Sequence, residues 1–371
     1  MRAAFSLTAV FAIGIIATWL ASCAGKSENG PTILAGMGTP ASETETGSSG
    51  PRLEALDAEG PILLPYRGPG SGGVAYRLTL EVEGERAARN VADNQPRPPV
   101  RETNELEAEF RKLPVEDAKS GGDMFLVGLN RLLYTRKQQS PQAERITELA
   151  DDRLRIMING ETSIDNRGNR VIGPFAPRML LNRIFGVTSH DPSGNPTRLS
   201  SRGAPHARQF MNDIPLLGAI AYTIVTLPQE PITPGSRWTG ARIPPSRLGE
   251  IGLSLTIDYT LAGFELFEDV PCAMILLGAR INESGFTSLT GQKLDRVKGT
   301  LSGTAWVELK NSRVRRVVVN DQIKASWSDP GNPKTATQRR MEYKSRLVLA
   351  LRDPDAKSDE WSDGTPHFDQ R

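Results

Sequence analysis

Leu253-Ser-Leu-Thr-Ile-Asp-Tyr-Thr-Leu261 changes character at every step. Leu253, Leu255, Ile257, Tyr259 and Leu261 are apolar, while Ser254, Thr256, Asp258 and Thr260 between them are polar. Successive side chains of an extended chain point to opposite faces, so this period of two describes a strand with one face buried. A helix would need its apolar residues three or four apart. Leu347, Leu349 and Leu351 repeat the pattern near the end, and Val74-Ala-Tyr-Arg-Leu-Thr-Leu-Glu-Val82 shows it near the start. Further strands are predicted over 103–111, 124–134, 153–164, 272–281, 299–309 and 313–324. Asp165-Asn-Arg-Gly168 and Lys310-Asn-Ser-Arg313 supply turn chemistry between neighbours. Strands at this spacing, without helices alternating between them, predict a mainly β fold. The expectation is a large antiparallel sheet, as a sandwich, barrel or half-barrel.

A helical insertion is expected near 178–222. Arg178–Phe185 suits a short helix, and Ile214-Pro-Leu-Leu-Gly-Ala-Ile-Ala-Tyr-Thr-Ile-Val-Thr-Leu227 is the longest apolar run beyond the N-terminal segment. As helix, those fourteen residues reach only about 21 Å, short of a bilayer core. The reading is a helix over 208–222 packed on the sheet. One strand shows apolar residues on both faces: Cys272, Met274 and Leu276 on one, Ala273, Ile275 and Leu277 on the other. Residues 124–129 and Val317-Val-Val319 behave similarly. Each face of such a strand needs a cover. Helix and loops are one cover; an apolar ligand in a barrel lumen is the other.

The N-terminus reads as an address. Arg2 is followed by an apolar stretch from Ala3 to Trp19 and then Leu20-Ala21-Ser22-Cys23. A basic start, a short apolar core and small residues at the end describe a secretory signal peptide. Leu20-Ala-Ser-Cys23 resembles the lipobox of bacterial lipoproteins. The resemblance implies removal of residues 1–22, lipid on the Cys23 thiol and a membrane as partner through that lipid. Two or three acyl chains anchor stably where one does not. Ala24 is not the aspartate that resembles an inner-membrane retention signal, so an exported lipoprotein of the outer membrane is expected.

Removing the signal leaves about 350 residues, enough for one large domain or two small ones. Residues 23–72 are rich in Gly, Ser, Thr, Pro and Glu, and read as a lipidated, disordered tether spanning roughly 35–42 Å. Residues 73–352 then form the β-rich domain, and the charged stretch 353–371 a flexible tail. Gly68-Pro-Gly70-Ser-Gly-Gly73 and Gly36-Met-Gly38-Thr-Pro-Ala41 match dinucleotide fingerprints in letters only. A fingerprint must follow a strand and open a helix, whereas Gly73 leads into the alternating run from Val74.

Chemistry is sparse. The net charge of +2 argues against electrostatic binding of nucleic acid. With Cys23 committed to lipid, Cys272 has no partner within the chain, which excludes an internal disulfide or a CxxC site. In its apolar run Cys272 reads as a small buried hydrophobe. The three histidines are His190, His206 and His367. Ser189-His190-Asp191 is contiguous, while a triad converges from separate positions, and Pro192-Ser-Gly194-Asn-Pro196 marks a turn. No metal, nucleophile or phosphate signature is present, so no catalytic residue, cofactor or metal ligand is assigned. Arg178, Arg183, Arg198, Arg202 and Arg208 face one acid, Asp191, in the local sequence and suit either solvated loops or an anionic-lipid contact.

From Leu227 onward, Leu227-Pro228-x-x-Pro231, Gly235-Ser-Arg-Trp238, Tyr259-Thr-Leu261-Ala-Gly263-Phe-Glu265, Cys272-Ala-x-Ile275 and Gly299-Thr-Leu-Ser-Gly303-Thr-Ala-Trp-Val307 follow one another. This rhythm resembles that of uncharacterised β-rich secreted bacterial proteins, and it implies no activity. The architecture is similar to that of periplasmic lipoprotein carriers and related lipid-binding lipoproteins. Two functional classes follow: a non-catalytic binding module for an apolar or lipid ligand or an envelope component, and a structural or assembly partner docking on another envelope protein. An enzyme is not expected.

Overall fold

The alternating runs form strands, and most are longer than the sequence pattern alone predicts. The computed structural model describes residues 54–55, 60–64, 73–90, 98–114, 123–139, 141–151, 153–167, 184–190, 196–201, 216, 225–242, 255–287, 293–328 and 337–352. The N-terminal half contributes β1 (Glu54–Ala55), β2 (Val74–Asn90), β3 (Val100–Pro114), β4 (Asp123–Gln139), β5 (Gln142–Ala150), β6 (Arg153–Ile158), β7 (Glu161–Arg167), β8 (Ile184–His190) and β9 (Pro196–Ser201). The C-terminal half contributes β10 (Arg237–Arg242), β11 (Leu255–Phe267), β12 (Val270–Thr287), β13 (Lys293–Glu308), β14 (Val314–Ser328) and β15 (Thr337–Arg352). At 15 to 18 residues, β2, β3, β4 and β12–β15 are each about 50–60 Å long.

All fifteen strands join one sheet, and every pairing is antiparallel. Its path is β1-β11-β12-β13-β14-β15-β2-β3-β4-β5-β6-β7. Two meanders are therefore sewn together where the last long strand, β15, pairs with the first, β2. Strand β4 carries two neighbours on one edge: β8 along residues 123–128 and β5 along 132–139. The predicted mainly β, antiparallel class is what the chain adopts.

Alternation then builds one continuous buried face. Val74, Tyr76, Leu78, Leu80 and Val82 of β2 share it with Leu106, Ala108 and Phe110 of β3, Leu347 and Leu349 of β15, and Val317 and Val319 of β14. Ile257, Tyr259, Ala273, Ile275 and Leu277 continue it on β11 and β12. Leu64, Leu216, Val225, Leu227 and Ile232, outside the long strands, are buried in the same cluster.

Several expectations are corrected. The stretch 153–164 is not one strand but the hairpin β6–β7, turned at Asn159 and Gly160, whose φ angles are 52° and 83°. Asn-Gly is the strongest two-residue hairpin signal because both positions of that turn need positive φ. Asp165–Arg167, read as a turn, therefore belongs to β7. The other predicted turn, Lys310–Arg313, does connect β13 to β14, with Ser312 N–H donating to the Glu308 carbonyl at 2.9 Å.

Among the described residues of the helical insertion expected near 178–222, one position is helical. Ile184 and Phe185, the last two residues of the short helix expected over 178–185, lie on β8, which pairs with β4 and β9; residues 178–183 lie outside the described residues. Within the predicted 208–222 helix only Leu216 is described, helical and fully buried; the rest lies outside the described residues. The folded part also starts earlier than residue 73. Glu54 and Ala55 pair with Leu266 and Glu265 of β11. Ile62 and Ile232 exchange two backbone bonds of 2.9 and 2.8 Å, which seats the fully buried Leu64. Pro61-Ile-Leu-Leu64 is apolar enough to bury, and composition averaged over the whole segment hid it. The remainder of 1–72, except Gly60, and residues 353–371 lie outside the described residues.

Candidate functional site

The buried face changes chemistry along its length. Reading β3 backward from Phe110, the inward residues are Phe110, Ala108, Leu106, Asn104, Glu102 and Val100. On β15 they run Leu349, Leu347, Ser345, Tyr343, Met341, and on β14 Val317, Val319, Asp321, Ile323. Register places Asp321, Ser345, Val82 and Asn104 in one row across four strands, and Ile323, Tyr343, Gly84 and Glu102 in the next.

Glu102 is the centre of this polar half. Its side chain is 0% exposed. A buried carboxylate left alone costs several kcal/mol, so its partners decide whether the arrangement holds. Arg86 Nη2 donates to Oε2, Arg136 Nη2 donates to the same oxygen at 3.1 Å, and the Tyr343 hydroxyl donates to Oε1 at 3.1 Å. Both guanidinium groups stay partly in solvent, with side chains 36% and 35% exposed. Two cations on one carboxylate leave an excess of positive charge at the surface of the cluster.

Tyr343 reaches Glu102 because β2 has no side chain at residue 84. A Cβ on Gly84 would sit 2.1 Å from two atoms of the Tyr343 ring. One row deeper, the Tyr134 hydroxyl donates to Asn104 Oδ1 at 3.0 Å. Asp321 is 4% exposed, and burial pushes its carboxyl up to about 6. The opposed Ser345 hydroxyl pulls it back, though neither carboxylate oxygen completes a hydrogen bond with a described residue. Toward the end of the strands the inward residues Trp327, Ala88, Val100 and Gln138 are half-buried beside Arg86 and Arg136, and Arg339 is exposed. This end forms a mouth: cationic, with apolar side chains among the cations.

The residues singled out from sequence lie elsewhere. Cys272 is buried and unpaired, and burial, reinforced by Glu308, pushes its thiol up to about 12. A thiol with so little thiolate at neutral pH is inert, in line with its reading as a small hydrophobe. Ser189 and His190 end β8, opposite Arg198 and Pro196 of β9. Cys23, Asp191, His206, His367, Arg178, Arg183, Arg202 and Arg208 lie outside the described residues. Gly73 leads straight into the 17-residue strand β2, which rules out a dinucleotide fingerprint there. Among the described residues no group of His, Cys, Asp and Glu converges as metal ligands.

Sequence reading missed Glu102, Asn104, Asp321 and Ser345, yet a signal was present. Each is a polar residue on the apolar phase of its strand: Glu102 and Asn104 in step with Leu106 and Ala108, Asp321 between Val319 and Ile323. Such a break in alternation marks a buried polar group that must find partners.

No family model matches the chain, and no curated protein does. Among solved structures it is similar to one titled for lipid–protein interactions in lipovitellin, with 8% identity, TM-score 0.38 and 77% of this chain covered. The match spans only 25% of the lipovitellin chain. Two Pseudomonas aeruginosa proteins, OccK7 (OpdD) and OpdQ, align at 7% and 6% identity over 76% and 75% of this chain and 99% and 98% of theirs, with TM-scores of 0.15 and 0.13. Overlaps this small carry no inference about function.

Proposed function

We propose that the chain is a lipid-anchored envelope protein whose sheet binds an anionic amphiphile at the polar mouth of its inner face, without catalysis. The observation that carries this reading is the meeting of Arg86 and Arg136, each about a third exposed, with half-buried Trp327, Ala88 and Val100. Glu102 and Tyr343 hold the two guanidinium groups in place, so little side-chain entropy remains to be lost on binding. A carboxylate or phosphate head takes the free donors of the arginines, and the start of its apolar chain lies on Trp327. The deeper rows are already packed: Leu78, Leu106 and Leu347 are at most 1% exposed. Ligand therefore adds at the mouth and does not thread the core.

Native mass spectrometry of the full-length protein extracted in mild detergent tests this. Retained lipid, lost in the Arg86→Gln/Arg136→Gln variant, supports the proposal; no lipid with either protein sinks it. The anchor is tested separately. Cys23→Ser is expected to abolish incorporation of an alkyne fatty acid, and equal labelling of both proteins would remove the lipoprotein reading.

One observation favours a second reading, a docking partner for another envelope protein. On the outer face Leu276, Thr304, Val318, Val348 and Thr79 form a single row over five strands. Leu276 is 42% exposed, and the other four are half-buried. Cross-linking in intact cells that captures one partner and is lost in Leu276→Lys would favour docking over ligand binding.

A further inference from the structure

On the outer face, at the same end of the long strands, β13, β14, β15 and β2 enclose an open groove of about 410 Å³. Register explains its shape. One row reads Arg296, Ser326, Arg340, Ala87, and the next reads Lys298, Lys324, Glu342, Glu85. In the first row the long side chains alternate with small ones, so Ser326 floors a depression between two arginines. Neighbouring strands lie about 4.8 Å apart, which puts the two arginine backbones about 10 Å from each other. That gap admits a tetrahedral oxyanion with one guanidinium on either side. A bulge between Leu294 and Arg296 shifts the register next to Arg296, and such bulges re-aim the side chains beside them.

The charge balance is uneven. Four cations, Arg296, Lys298, Lys324 and Arg340, face two acids. Both acids are engaged: Glu342 accepts from Lys324 Nζ at 2.8 Å and from Gln322 at 3.0 Å, and Glu85 accepts from Arg101 Nε at 3.1 Å. Those bonds hold the Glu342 carboxyl below its ordinary range. Arg296, Lys298 and Arg340 are exposed and have no ion pair among the described residues. Arginine pairs suit phosphate because each guanidinium offers parallel donors in a fixed plane.

We propose that this groove binds a phosphate group, with Arg296 and Arg340 as its two clamps, Lys298 as a third charge and the Ser326 hydroxyl as a donor from the floor. The site stands on the opposite face from Glu102 and does not rest on the amphiphile reading. The phosphate comes either from a free polyphosphate or from a lipid headgroup, and one titration series separates these sources.

Full-length protein in nonionic detergent is titrated calorimetrically with inorganic pyrophosphate, dihexanoyl-phosphatidylglycerol and the net-neutral dihexanoyl-phosphatidylcholine. Saturable binding of pyrophosphate, or of the phosphatidylglycerol alone, is expected; the first identifies a free anion and the second a headgroup. Arg296→Gln/Arg340→Gln is expected to weaken it at least tenfold, with partial rescue by Arg296→Lys/Arg340→Lys. Arg167→Gln/Arg237→Gln, at exposed sites away from the groove, removes equal charge and is expected to change affinity less than twofold. Arg86→Gln/Arg136→Gln is expected to leave pyrophosphate binding unchanged, so the two faces fail independently. No saturable binding of either phosphate compound overturns the proposal, as does an equal loss in the groove variant and the Arg167/Arg237 control.

Discussion

Along β2 the inner face passes from one regime to another within a few residues. Val74, Tyr76, Leu78, Leu80 and Val82 are each at most 8% exposed, while Arg86 and Ala88 are half-buried. The same change occurs at matching register on β3, β14 and β15. A sheet about 50–60 Å long is longer than its apolar core needs. The apolar half accounts for stability by burial, at roughly 25 cal/mol per Å² of apolar surface removed from water. The polar half gains little that way, and its buried Glu102 and Asp321 cost free energy that partners must offset. Residues kept at that cost are where a function is to be sought, and each half makes different demands on a substitution.

The largest effects belong to the apolar half. Leu80→Ala and Leu277→Ala each open a void among fully packed neighbours, and each is expected to destabilise by about 2–5 kcal/mol in urea denaturation. Losses well under 1 kcal/mol would mean that this half holds a cavity and is not filled, which would blur the contrast. Leu64→Ala belongs to the same class and is expected to lower the thermal midpoint by several degrees. Deleting residues 27–49 is expected to leave the midpoint unchanged.

In the polar half the sign of one effect depends on pH. Asp321 titrates near 6 in the fold, against roughly 3.9 for a free aspartate. Between those values the native state holds a proton that the unfolded chain has lost, so stability falls as pH rises through this window. About two units correspond to a penalty on the order of 3 kcal/mol, present above pH 6 and absent below about pH 4. Asp321→Asn removes it, and is expected to raise stability by about 1–3 kcal/mol at pH 8 and by almost nothing at pH 4. Equal effects at both values would show that the carboxylate is stabilised by a charge or donor after all.

Gly84→Ala tests the close approach beside Glu102. Its methyl group would occupy the Tyr343 ring, so that ring or the β2–β15 pairing must shift. Overpacking of this kind costs about 1–3 kcal/mol. Displacing Tyr343 also removes one of the Glu102 donors. Tyr343→Leu in the same chain is expected to recover part of the loss in packing without restoring the hydrogen bond. No recovery would mean that Gly84 acts through something other than Tyr343.

Most of the sheet was legible because strand alternation is a short-range signal. Leu255–Leu261 and Leu347–Leu351 needed nothing beyond their own neighbours to be placed. The Asn159-Gly160 turn was equally local but was read through as strand. What alternation cannot encode is pairing order: that β15 lies beside β2 depends on contacts more than 240 residues apart, as in the Tyr343–Glu102 bond. The site was half legible. Glu102 and Asp321 announce themselves as polar residues in an apolar phase, but their convergence with Arg86, Arg136 and Tyr343 follows only from the strand order.

The smallest expected effect separates the two faces of β12. Alternation made Leu276 and Leu277 look equivalent, since both faces of 272–277 are apolar, and both would then be core. In the fold Leu277 is 5% exposed and Leu276 is 42% exposed. Cys272, on the same face as Leu276, is buried beside the hairpin turn, where Phe267 and Trp306 pack at a centroid distance of 5.1 Å. Cover on the outer face thus fades along the strand, from Cys272 through half-buried Met274 to Leu276. Truncating Leu276 opens no enclosed void and leaves its neighbours Thr260 and Thr304 where they are. Leu276→Ala is therefore expected to cost about 0.5–1 kcal/mol, mostly lost contact with those neighbours. Leu276→Lys is expected to fold with a similar midpoint, because its ammonium reaches water from that position, whereas Leu277→Lys would bury a charge and prevent folding. A loss above 2 kcal/mol for Leu276→Ala would show that the outer row is covered in the folded protein. It would then count as core, and the docking reading would lose the one surface that favours it.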